Sequence, residues 1–286
     1  MFDHKFTIIC ALILKISTIN CKNSPPPPGK ILYGKDADSR DFPYIVAILH
    51  PDAEKGVPNK TLLFGAGSII GDKWIITSKP VAMDLEKSPP VRREMVIYPK
   101  YENDLSHMLT TKPKAYKVEK AFCAPKIQSD WKDSQSDLAV LKLTESIPLD
   151  KGPENFKSIS MTGEKRKKVQ LRVAGWGMTK SRDLSTSMGK LQVADMSFFE
   201  GNCNPACRVM TQYGGLYATN VCHGDDGGPA VLKEENKPEE LIGVISSMDS
   251  RCWYDSTFIN ITSFKPWVSE VMKDEPEKYR CKTNPR

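Results

Sequence analysis

Histidine is scarce in this chain: four residues in 286, scattered at His4, His50, His107 and His223. No CxxC pair accompanies them, so the spacing that builds a zinc site is missing, and neither a metal nor another cofactor is expected. No zinc-finger or RNP-like pattern occurs, and a formal net charge of +6 is modest for this length, which argues against nucleic acid as a partner. Nothing repeats at a solenoid period. Beyond the first twenty or so residues no apolar run approaches membrane-spanning length, so no membrane partner is expected. What is present is 40% hydrophobic and 27% charged residues, enough apolar material for a sizeable core rather than a disordered chain.

The apolar run Phe6 to Leu14, flanked by Lys5 and Lys15, is too short to span a bilayer and has the form of a secretory h-region. Residues 1–21 are read as a signal peptide cut after Cys21, and the protein as secreted and extracellular. Residues 22–30, with SPPPPGK at 24–30, cannot join a sheet and form an extended lead-in. Removing the leader takes Cys10 and Cys21 and leaves Cys123, Cys203, Cys207, Cys222, Cys252 and Cys281, an even set for an oxidising compartment whose pairing spacing alone leaves open. Asn59-Lys60-Thr61 and Asn260-Ile261-Thr262 are sequons that secretion would make usable.

Short apolar or alternating runs recur at Tyr44–Leu49, Ser68–Thr77, Glu94–Tyr98, Leu138–Leu143, Val169–Ala174, Ala230–Leu232 and Leu241–Ser246, separated by Gly, Pro, Asp and Asn. This pattern predicts an all-β protein, a sandwich or a barrel pair, with a single helix around Pro266 to Met272. His50 and His107 read as ordinary loop residues.

Several fragments carry more information. Lys30-Ile31-Leu32-Tyr33-Gly34 is followed by Phe42-Pro43-Tyr44-Ile45-Val46-Ala47, Gly67-Ser68-Ile69-Ile70, Trp74-Ile75-Ile76-Thr77, Asp137-Leu138-Ala139-Val140-Leu141-Lys142-Leu143 and Ala174-Gly175-Trp176-Gly177. Then come Gly224-Asp225-Asp226-Gly227-Gly228-Pro229, Gly243-Val244-Ile245-Ser246 and Lys265-Pro266-Trp267-Val268. In this order they resemble the chymotrypsin-like (S1) serine proteases, and in particular the non-catalytic homologues common in insects. The resemblance implies an all-β fold of two six-stranded antiparallel β-barrels with a C-terminal helix. The trypsin-like domain would occupy residues 31–273, followed by a tail, 274–286, that carries Cys281. It also implies a zymogen-like cleavage after Lys30, with the new amine of Ile31 paired to Asp225.

The resemblance fails where the chemistry would be. Of the three positions that match the catalytic triad, only Asp137 keeps its residue; Pro80 stands in the histidine's place and Asp226 in the serine's. Proline has no titratable group and Asp226 no hydroxyl. The backbone N–H groups of Gly224 and Asp226 match the oxyanion hole, which the Asp226 carboxylate would either occupy or turn repulsive towards a forming oxyanion. In the specificity pocket Asn220 replaces an acidic residue, and Ser247 and Met248 replace a Trp-Gly pair. The resemblance implies a Cys222–Cys252 disulfide bracing that pocket. It places Cys123 near the C-terminal helix, implying Cys123–Cys281, and leaves Cys203 and Cys207 to pair with each other. The histidine-loop disulfide is absent, with Gly65 and Val81 at its positions.

The basic run Lys165-Arg166-Lys167-Lys168 reads either as a solvated loop or as a site for a polyanion. The expected function is that of a secreted, catalytically inactive serine protease homologue. Its partners would be extracellular proteins, active serine proteases or their substrates, in a proteolytic, immune or reproductive pathway. Two alternatives stand beside it: an active S1-like hydrolase with displaced catalytic groups, and a secreted polyanion-binding module.

Overall fold

Two antiparallel sheets account for most of the chain. The computed structural model of the protein describes residue 31 and residues 34–50, 63–83, 96–99, 114–126, 136–151, 155–161, 168–179, 189–199, 206–209, 220–232, 234, 237–248, 252 and 256–281. The first sheet is built from β2 (Ile45–Leu49), β3 (Leu63–Gly71), β4 (Trp74–Thr77), β5 (Val96–Pro99), β6 (Tyr116–Cys123) and β7 (Ala139–Leu143). It closes on itself as a barrel in the order β2-β3-β4-β7-β6-β5, the β2–β5 ladder sealing it. β2 (IVAIL) and β4 (WIIT) are buried along their whole length, so they read as continuous apolar runs rather than as alternation. The run Ser68–Thr77 is two strands, turned at Asp72-Lys73.

The second sheet has β9 (Lys168–Gly175), β10 (Gln192–Phe199), β11 (Ala206–Val209), β12 (Pro229–Leu232), β13 (Glu240–Met248) and β14 (Ser256–Asn260) in the order β10-β9-β12-β13-β14-β11. Two short additions make it eight-stranded: β1 (Lys35–Asp36) pairs with β10, and β8 (Ser160–Met161) lies parallel to β13. Pro229 opens β12, a place where a missing N–H costs no ladder bond. Ile31, Leu171, Val173, Met196, Ile245 and Phe258 fill the interior.

Besides the C-terminal helix there is a short one that sequence reading did not foresee, α1 (Lys79–Ala82), directly after β4. α2 spans Lys265–Asp274, with Pro266 in its first turn, where proline is tolerated. It buries Trp267, Val268 and Val271 on one face, each stabilising by roughly 1.5–3 kcal/mol relative to exposure.

The chain is then strapped across the first barrel. Glu275 ends α2 in a left-handed conformation, φ 46°, and its carboxylate receives Lys120 at 2.7 Å and Lys142 at 2.6 Å. Arg280 bridges to Phe122, the Cys281 N–H donates to the Ala121 carbonyl at 3.0 Å, and Cys281 is disulfide-bonded to Cys123. The second disulfide joins Cys222 and Cys252. Cys203 lies outside the described residues, and Cys207 is described only as backbone of β11.

The Cys123–Cys281 bond closes a loop of sequence separation 158, so its removal is expected to cost about 2–4 kcal/mol. The Glu275 pairs are partly solvent-exposed, so Glu275→Gln is expected to cost about 1 kcal/mol or less. Denaturant unfolding of Cys123→Ser/Cys281→Ser beside Glu275→Gln measures the difference.

Candidate functional site

The chemistry-bearing positions gather where the loop 220–228 meets the ends of β3, β4 and β9. Asp225 organises this loop. It has no exposed surface, and its carboxylate accepts the N–H of Gly177 at 2.8 Å and of Cys222 at 2.9 Å. Space for it comes from two glycines: a Cβ on Gly175 would lie 2.1 Å from Asp225 Oδ1, and one on Gly177 2.6 Å from its Cγ. Gly227, at φ +78°, turns the chain back; a side chain there would meet Thr77 Oγ1 at 2.1 Å. Its N–H donates to the Ile245 carbonyl at 2.8 Å, and Ala66 of β3 donates to the Asp226 carbonyl at 2.8 Å, so the loop is pinned to both sheets.

Asp137 precedes β7. Ser246 Oγ donates a hydrogen bond to Asp137 Oδ2, and the backbone N–H of Lys79 also favours the charged carboxylate. The next residue is Pro80, with neither an N–H nor a ring donor to offer. Beside it, Val81 Cγ2 would lie 2.6 Å from a Gly65 Cβ, so the valine methyl fills the space a Gly65 side chain would need.

Asp226 is half-buried. The Gly224 N–H and its own backbone N–H act to pull its carboxyl back down against the effect of burial. His223, exposed, attracts its charge, and Asp137 repels it.

Asn220 is fully buried between neutral partners. Its Nδ2 donates to the Cys252 carbonyl at 3.1 Å, and its Oδ1 accepts the Val221 N–H at 3.0 Å and the hydroxyl of Ser256. Ser256 escaped the sequence reading, since a lone serine opening a strand carries no signal of its own. Ser247 and Met248 form the end of β13, their backbone paired with Thr257 and Ser256. Asn260 Oδ1 accepts the Thr262 N–H at 2.9 Å. Lys30, Asn59, Lys165, Arg166 and Lys167 lie outside the described residues, and Lys168 is described only as backbone at the start of β9. Among the described residues no group of three or more His, Cys, Asp or Glu is placed to hold a metal, and no helix is long and apolar enough to cross a membrane.

A sequence model of the trypsin family matches residues 31–268. The chain belongs to the trypsin family. Among curated relatives, mouse transmembrane protease serine 11G is 23% identical over 85% of this chain and 55% of its own length. CLIP domain-containing serine protease B4 of Anopheles gambiae is 23% identical, covering 94% of this chain and 79% of that protein. The phenoloxidase-activating enzyme of Bombyx mori is 23% identical over 85% of this chain and 61% of its own. This chain therefore spans little more than half of the mouse relative's length. The solved structure of neuropsin, a serine protease expressed in the limbic system of mouse brain, superposes with a TM-score of 0.64 at 16% identity. It covers 84% of this chain and 99% of neuropsin; the likeness is one of fold.

In trypsin-family catalysis a hydroxyl attacks, an imidazole takes its proton, a carboxylate orients the imidazole and two backbone N–H groups receive the oxyanion. Here the orienting carboxylate keeps its serine and backbone donors, yet the residue after Lys79 has nothing to orient. The N–H pair at Gly224 and Asp226 has the Asp226 carboxyl for a neighbour.

Burial pushes three carboxyls up, Asp225 to about 7 and Asp226 and Asp137 to about 6, partly opposed by the hydrogen bonds each accepts. A carboxyl raised above its unfolded value binds more protons folded than unfolded, so its stabilising contribution is complete below the unfolded value and fades as pH rises through 6 to 7. The uncut protein is therefore expected to gain thermal stability as pH falls from about 8 to about 5. Asp226→Asn should flatten that slope; a midpoint that falls over this window would contradict the assignment.

Proposed function

We propose that this trypsin-family protein is a secreted, catalytically inactive homologue that works by binding. Its partners are extracellular proteins, active serine proteases or their substrates, in a proteolytic, immune or reproductive pathway. The observation that carries the reading is the chemistry at the two changed positions: Asp226 brings a carboxyl and no hydroxyl to the Gly224 and Asp226 N–H groups, and Pro80, next after the Lys79 whose N–H stabilises the Asp137 carboxylate, brings no imidazole. Loss of any triad member costs orders of magnitude in rate, and two positions are changed here. Secretion is supported by the apolar run Phe6 to Leu14 and by two disulfides, which persist in oxidising compartments. A place in an insect-type protease pathway is supported by the names of the Anopheles and Bombyx relatives.

An organophosphonate probe and a panel of peptide esters test the reading on the full secreted chain, with and without cleavage after Lys30. No labelling and no turnover is the expected result. Pro80→His/Asp226→Ser serves as the positive arm: with Asp137, Ser246 and the loop already in place, the repaired protein is expected to take the label. Turnover by the natural chain that disappears in Asp226→Ala would overturn the proposal.

A further inference from the structure

The family resemblance implies that a cut after Lys30 frees the amine that assembles the loop around Asp225. In this uncut chain both sides of that event are already built. Ile31 has no exposed surface and packs with Leu171, Val173, Val221, Ile245 and Phe258 inside the second sheet's core. Its carbonyl accepts the Gly34 N–H at 2.5 Å. The residues that follow are held as well: Lys35 and Asp36 pair with Val193 and Gln192 of β10, and the Ala37 N–H donates to the Leu191 carbonyl at 2.9 Å. Gln192 Nε2 donates to Asp36 Oδ1 at 2.8 Å, and Lys190 lies 3.3 Å from Asp36.

On the loop side, the two N–H donors to the Asp225 carboxylate come from Gly177 and Cys222, both backbone groups of the continuous chain. Gly227 donates to Ile245 at 2.8 Å and Ile245 donates back to Gly228 at 3.0 Å, so the loop is laced to β13.

We infer that Ile31, through its buried side chain and not through a freed amine, anchors the loop 221–228, and that the protein reaches its working conformation as a single uncut chain. Ile31 carries φ 39°, a left-handed value that β-branched residues avoid, and its buried side chain holds it there. Hydrolysis before Ile31 removes the carbonyl that makes this value unfavourable, so a cut relieves the anchor slightly without creating it. A chain folded this way needs no upstream protease to set the loop. The inference rests on packing and hydrogen bonds and holds whether or not the protein turns over a substrate.

Hydrogen exchange of the Gly177, Cys222, Gly227 and Gly228 amides at pH 7 tests it on the full mature chain. The uncut form is Lys30→Gln; the cut form carries a factor Xa recognition sequence in place of residues 27–30 and is cleaved before Ile31. Protection of these amides is expected to agree within about fivefold between the two forms, while uncut Ile31→Ala exchanges at least about tenfold faster. If Ile31→Ala does not fold, Ile31→Val is expected to raise exchange by about two- to tenfold. A cut form protected more than about fivefold better, or an Ile31 variant that exchanges like the parent, overturns the inference.

Discussion

A carboxylate with no exposed surface must find donors or give up its charge, and the arrangement around Asp225 is the consequence of that demand. Two backbone N–H groups answer it, one from the segment after β9 and one from the loop that bears Asp225 itself. Because both donors are backbone, the chain must approach closely from two sides, and this is why Gly175 and Gly177 carry no side chain. The placement of Asp226, the turn at Gly227 and the hydrogen bond from Ala66 follow from that knot. Burial still lifts Asp225 to about 7, so the knot is a compromise between desolvation and hydrogen bonding.

Pro80 and Asp226, the two positions that depart from the family's motif, differ in what they cost the fold. Pro80 sits in the first turn of α1, where a backbone N–H has no helical partner to lose, so proline removes a reacting group without breaking the helix. Asp137, deprived of an imidazole neighbour, keeps Ser246 and Lys79 as donors and so is not left bare. Asp226 brings a carboxyl into a half-buried place, where burial pushes it up to about 6 and the Gly224 and Asp226 N–H groups oppose that rise. The architecture of the loop thus persists with both positions changed, because Asp137 and Asp225 keep hydrogen-bond donors.

How far the sequence could be read follows from how each segment is buried. β2, β4, β7 and β12 are nearly or wholly buried, and their apolar runs announced them. β6 alternates charged and apolar residues, YKVEKAFC, and is not among the expected strands, because a half-buried strand rich in Lys and Glu resembles a loop in composition; β10, QVADMSFF, is not among them either, although it carries a single charge. α2 came out two residues longer than the Pro266–Met272 expectation at its far end, where Glu275, not a glycine, supplies the left-handed stop. The identities at Pro80, Asp137, Asp225, Asp226 and Asn220 were legible from motif order alone. Ser256 was not, since its importance lies in reaching Asn220 across 36 positions of sequence.

The strap at the C-terminus changes what it means to break this protein. Cys123 lies in the first barrel and Cys281 beyond the last helix, so all of the second sheet from β8 to β14 is enclosed in one covalent ring. Hydrolysis of any single peptide bond inside that ring opens a loop but separates nothing; both fragments remain one molecule until a reductant acts. In a fluid full of active proteases, a nick in an exposed loop of this protein would leave its two halves, and any surface they form together, joined.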